Sequence, residues 1–125
     1  MGGTKLDGAG TQKMKTLEEA LLAVGRMNAM VERGAMDVKA KKPLGVIPQQ
    51  IKRVAVPLQG QLKGQFGLIA DQVAGFVLQS SRGGGGDQSR IRSMREGLAQ
   101  IKTALELNAN KVKEQHGVEI EVSPD

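Results

Sequence analysis

DQSRIRSMREGLAQIKTALELNANKVKEQH, residues 87–116, is the stretch that decides how this chain folds. Ile91, Met94, Leu98, Ile101, Leu105, Asn108 and Val112 recur there at alternating steps of three and four. That spacing keeps one apolar stripe on one side of a helix, a heptad seam that faces a partner helix. Asp87 or Ser89 can cap the start through a side-chain oxygen. Gly117 can close the end, because glycine accepts the left-handed backbone of a helix stop. Asn108 is the one polar member of the seam. A buried asparagine lowers stability but can fix register; the plainer reading puts Asn108 where the bundle is already wet.

The stretch before it, PQQIKRVAVPLQGQLKGQFGLIADQVAGFVLQSS at 48–81, carries a second stripe. Ile51, Val54, Leu58, Leu62, Phe66, Ile69, Val73 and Phe76 again step by three and four. Pro57 interrupts it, and a proline inside a helix removes a donor and crowds the preceding turn. Either a short turn over Pro48 to Val54 precedes a long helix with Pro57 in its first turn, where proline is tolerated, or one helix runs throughout with a kink near Arg53 to Val56. The stripe keeps its phase across Pro57 and favours the second. At 1.5 Å per residue, Pro48 to Ser81 would span about 50 Å and Asp87 to His116 about 45 Å. Two such rods joined through Gly83 to Gly86 are most simply antiparallel neighbours.

Gly60, Gly64, Gly67 and Gly75 also lie in this stretch. Each costs about 1 kcal/mol relative to alanine in a helix interior. With Asp71 they fall on one helical stripe, and small residues on a stripe admit a second backbone closely. The expectation is a second contact face, for the N-terminal helix or for another subunit. The opposing reading is a locally weak, exposed face.

Of 125 residues, 39% are hydrophobic but only 2% are aromatic, with Phe66 and Phe76 the two. Leucine, isoleucine, valine, methionine and alanine pack well between helices, whereas strands favour aromatic and β-branched residues. There is no cysteine, which excludes disulfides and thiolate metal sites. No apolar run approaches the roughly 20 residues of a membrane span. The start lacks the apolar core of a signal peptide. Leu6 stands where a myristoylation motif wants serine or threonine. A cytoplasmic protein is the expectation. The net charge of +5 permits nucleic acid, anionic lipid or acidic partners and chooses among none of them.

The remaining segments follow in order. Residues 1–15 carry no periodic apolar pattern and read as a flexible N-terminal segment. Residues 16–34 read as an N-terminal helix. It opens on the capping-box pattern Thr16-Leu17-Glu18-Glu19 and ends at Arg33-Gly34. Leu17, Leu21, Val24, Met27 or Asn28, and Val31 form its stripe. Residues 35–47 read as a basic linker with Lys39, Lys41, Lys42 and Pro43, and Lys52 and Arg53 stand nearby. The hairpin takes 48–117. Residues 118–125 form a tail whose alternating Val118-Glu119-Ile120-Glu121-Val122 reads as a short strand.

Constellations for chemistry are thin. The single histidine, His116, sits beside a helix stop, where the dipole favours it without any catalytic role. The glutamates lie off the seams, and acid–base work needs burial. The glycine run Gly83 to Gly86 precedes a helix, yet it lacks the lysine and Ser/Thr spacing of a phosphate loop and is followed by Asp87. Lysine and arginine clusters can neutralise phosphates, but no aromatic lies near them to stack on bases.

The sequence therefore predicts an all-α protein: a long antiparallel helical hairpin plus a shorter N-terminal helix. Two helices bury only one seam, so hairpins from two copies are expected to pair into a four-helix core in a homodimer. The expected role is a non-enzymatic adaptor or scaffold without cofactor or metal; the alternative is a nucleic-acid-associated protein gripping phosphates. The partner-binding candidates are Lys39, Lys41, Lys42, Arg82, Arg90 and Arg92 in two basic clusters. Gly60, Gly64 and Asp71 on the small-residue stripe complete the set. In the hairpin geometry those clusters stand at opposite ends, roughly 45 Å apart.

Overall fold

The computed structural model describes residues 8–82 and 86–116. Among them are four helices and no strand: α1 (Gly8–Lys39), α2 (Ile47–Lys63), α3 (Gly67–Arg82) and α4 (Asp87–His116). The all-α expectation holds. The strand expected over Val118 to Val122 lies outside the described residues, as do residues 1–7.

Both long seams are where the spacing put them. On α4, Ile91, Met94, Leu98, Ile101, Leu105 and Val112 are buried. Asn108 is half-buried and donates from Nδ2 to the Ala104 carbonyl at 2.8 Å, so it is satisfied within its own helix at a position not fully shielded from solvent. Ile51, Leu58, Leu62, Phe66, Ile69, Val73 and Phe76 are buried as well, with Val54 half-buried. Leu17, Ala20, Val24, Met27 and Val31 complete one continuous core from α1.

The helices carrying those seams are joined differently from the hairpin expectation. α1 packs on α4 and on α2, and α3 packs on α2 and on α4. The backbones of the diagonal pairs, α1 with α3 and α2 with α4, stay more than 8 Å apart between Cα atoms among the described residues. That arrangement is the square of a four-helix bundle with neighbours in chain order. The single rod expected over Pro48 to Ser81 is two helices folded back on each other. Pro57 lies inside α2 and does not end it. Pro57 and Arg53 are both exposed, so the carbonyl that loses its donor is on the side where water can replace it.

The break comes later, at Gly64 to Phe66. The Phe66 N–H still donates to the Leu62 carbonyl at 2.7 Å, and the Phe66 carbonyl accepts from Ala70 at 2.9 Å. Gly64 and Gly67 flank the pivot and weaken helix continuation. Phe66 turns inward and is 8% exposed. Burying a phenylalanine contributes about 1.5–3 kcal/mol, more than a turn of glycine-rich helix would.

The N-terminal helix is longer than its expected span of 16–34, and is the longest of the four at 32 residues. Thr16 is not a cap: its hydroxyl donates to the Gln12 carbonyl at 3.1 Å within the helix. Gly34 does not stop the helix either. A Cβ there would stand 2.7 Å from Leu44 Cδ1 and 3.4 Å from Ile47 Cγ2. The glycine is thus a seat for the loop and for the start of α2. The true stop is at Lys41, in the left-handed region at φ 65°. Lys42 N–H donates to Asp37 O at 2.7 Å and Lys41 N–H to Val38 O at 2.9 Å. This is the paired closure of a Schellman motif, built on a lysine where glycine is usual. The linker expected over 35–47 is therefore helix to Lys39 and a short loop beyond it.

Two contacts set register. Arg95 donates to both carboxylate oxygens of Glu32 at 2.7 Å, tying α4 to α1. Phe76 sits against Gly97, where a Cβ would approach Cδ1 of the ring to 2.7 Å. One chain supplies all four helices of the core, so the need for a second copy to cover the seams falls away.

Substitutions at two of these positions test the geometry by urea denaturation. Gly97→Val forces the Phe76 ring aside and lowers stability by about 2–3 kcal/mol. Lys41→Gly relieves the left-handed lysine and raises it by up to about 1 kcal/mol.

Candidate functional site

α1 and α2 lie side by side but leave a groove between them. Glu19, Ala23, Arg26, Met30 and Arg33 line it from α1, at steps of four and three. Gln50, Arg53, Val54, Pro57 and Gln61 line it from α2, again on one helical stripe. The groove consists of two adjoining hollows of about 450 and 530 Å³ that share Arg26, Arg53 and Val54. From Glu19 to Arg33 it runs about 21 Å along α1.

The hollow nearer Arg33 has an apolar lining: Met30 and Val54, both half-buried, form its floor, and Ala29 is exposed beside them. Arg26, Arg33 and Arg53 stand exposed around it. None of the three makes an ion pair or hydrogen bond among the described residues. Glu19, at the far end, is the one acidic lining residue. Three unpaired guanidiniums against one carboxylate make the groove electropositive. Leu22 and Met36 are 67% and 72% exposed and share a helical stripe with Arg26 and Arg33. Val46, 58% exposed, stands one turn before Gln50 on α2. Exposed apolar residues therefore stand on the same helix faces as the groove's lining.

Contrast comes from Arg95 and Glu32. The two hydrogen bonds from Arg95 hold the Glu32 carboxyl below its ordinary pKa, and the same bonds raise Arg95. The depressed folded value means that this pair supports the fold above the carboxylate range. That support is lost as pH falls through the folded value. Both side chains are about half exposed, so the contribution is small and salt-sensitive.

The two basic clusters do not stand at opposite ends. Folding α2 back on α3 halves the rod and brings the α1–α2 loop, the end of α3 and the start of α4 to one end of the bundle. The Leu44 N–H donates to Asp87 Oδ2 at 3.4 Å, linking the α1–α2 loop directly to the start of α4. Gly45, Pro48, Gln49, Lys52 and Arg90 line a cleft of about 340 Å³ there. Lys39, Lys41 and Lys42 are exposed at the same end, and Arg92 is exposed on the first turns of α4. Arg82 is the last residue of α3. Arg90 is half-buried and donates from Nη2 to the Ser80 carbonyl at 3.0 Å, while its Nε is buried without a partner. That geometry makes Arg90 a tie between α3 and α4 more than a free cation.

The glycines of the small-residue stripe meet nothing among the described residues. Gly60, Gly64 and Asp71 are exposed, and a Cβ on Gly60, Gly64, Gly67 or Gly75 would find nothing within 4 Å. The stripe is no contact face for α1, which packs elsewhere on α2. Among the described residues no group of three or more histidines, aspartates or glutamates could hold a metal ion. No described helix is long and apolar enough to cross a membrane. No family model, curated protein or solved structure matches this chain.

Sequence reading missed Arg26 and Arg33 because it sought basic residues adjacent in sequence. The available signal was their seven-residue spacing, which puts them on one face of α1 beside its apolar seam.

The exposed glycines give a direct test. Gly60→Ala and Gly75→Ala each raise stability by about 1 kcal/mol, the helix-propensity gain with no steric penalty. A loss of stability at either position would show that another surface sits on the stripe.

Proposed function

We propose that this chain is a non-enzymatic interaction module of the adaptor or scaffold type, working in the cytoplasm. One observation carries the reading: the α1–α2 groove combines apolar lining with three arginines that have no partner among the described residues. Met30 and Val54 pack against the edge of the core and still leave apolar surface in the groove, and an exposed apolar patch rimmed by polar residues is characteristic of protein contact surfaces. Arginine is also favoured at interfaces over lysine, since its planar fork pairs carboxylates in two hydrogen bonds.

A second reading, phosphate binding by nucleic-acid association, draws on a different place. Lys39, Lys41, Lys42 and Lys52 gather at the loop end of the bundle. Cations concentrated at one end can neutralise a run of phosphates without reading bases.

Capture on the immobilised chain from a lysate of the cell that makes it separates the two. The adaptor reading expects a stoichiometric protein partner that survives nuclease treatment. Recovery of nucleic acid alone, in gel shifts that fall steeply with salt and vanish when Lys39, Lys41 and Lys42 are neutralised, would replace it with the second reading.

A further inference from the structure

We propose that the α1–α2 groove takes one kind of occupant: an acidic amphipathic helix, laid along the groove as a third rod. The inference deepens the interaction-module reading and rests on it. Shape comes first. Two packed helices leave a straight furrow, and a helix pressing its apolar face into such a furrow is a recurrent mode of peptide recognition. The furrow is about 21 Å long, which matches roughly four turns of helix.

Charge fixes the sign of the occupant. Arg26 and Arg33 are two turns apart on α1, about 10 Å by helix rise. Arg53 faces them from α2 and lines both hollows. No carboxylate of the chain pairs with any of the three among the described residues, although Arg95 nearby in the fold has its glutamate. An occupant with carboxylates about two turns apart would meet Arg26 and Arg33 together, with apolar residues between them on Ala29, Met30 and Val54. Each arginine can hold a carboxylate bidentately.

The apolar floor decides between this occupant and a nucleic acid. A phosphate backbone would use the guanidiniums but gain nothing from Ala29, Met30 and Val54. The groove also offers no aromatic for a base to stack on. An amphipathic helix uses both the floor and the charges.

The probe is a fluorescein-labelled synthetic peptide of about 14 residues. It carries glutamates two turns apart and leucines at the intervening three-and-four positions, and binding to the full chain is read by anisotropy. Saturable binding in the micromolar range is expected, about −8 kcal/mol at a Kd near 1 μM. Arg26→Glu and Arg53→Glu should each weaken it at least about tenfold. Lys39, Lys41 and Lys42 changed together to glutamine should leave it unchanged. A second peptide with serines for leucines and the same charge should bind at least about tenfold more weakly. Circular dichroism confirms that the exposed arginine variants remain folded. Equal binding of both peptides, equal binding by the arginine variants, or tighter arginine-dependent binding of a short duplex would each overturn the proposal. If lysate capture yields a nuclease-resistant protein partner while the acidic peptide fails to bind, the inference about the groove falls and the adaptor reading stands.

Discussion

The three residues Gly64 to Phe66 are the constraint on which the bundle depends. Without an interruption there, α2 and α3 would be one rod about as long as α1 and α4, and the chain would hold three helices in place of four around one core. With it, the apolar stripe from Ile51 to Phe76 doubles back and both halves face inward. Gly64 and Gly67 lower the cost of the interruption, and Phe66 turns inward at the pivot as part of the core. The backbone there loses little, since Phe66 keeps a helical hydrogen bond on each side. The fold is thus decided by burial outweighing helix continuity over a few residues.

Two consequences follow from that reversal. It brings the α1–α2 loop against the start of α4, where Asp87 accepts from Leu44 and the lysines gather. It also sets α2 beside α1 along the flank that carries Arg26 and Arg33. The electropositive groove is therefore a product of tertiary folding. The glycines at Gly34 and Gly97 serve the same packing from within, each giving room to a neighbour's side chain at a distance no Cβ could share.

Much of this was legible in the residues. The periodicity on α4 identifies its buried positions, and the stripe from Ile51 to Phe76 does the same for α2 and α3. Partner choice was not legible, because a heptad seam says which face is buried and not which helix covers it. Pro57 points to an interruption that α2 does not have, since its exposed position lets water take the carbonyl that loses its donor. Gly34 misdirected the end of α1, because a glycine needed for close approach resembles one needed for a stop. The start of α1 was hidden by Gly8 and Gly10, whose poor propensity is outweighed when α1 packs along α4. Of the binding candidates, the lysines of the loop end were found by adjacency, and the arginines of the groove required the folded pairing of α1 with α2.

The reversal at Gly64 to Phe66 can be measured directly, and a chain with no cysteine suits the purpose. Spin labels on Lys52→Cys and Gln79→Cys, both exposed positions, report the separation of the far ends of α2 and α3 by pulsed electron resonance. A folded-back pair places the labels within about 20 Å, since neighbouring helices pack at 8–10 Å between axes and the labels add their own reach. The distance should be unchanged when labelled protein is diluted with unlabelled protein. A separation near 40 Å, the span of an unbroken helix over those residues, would contradict the account.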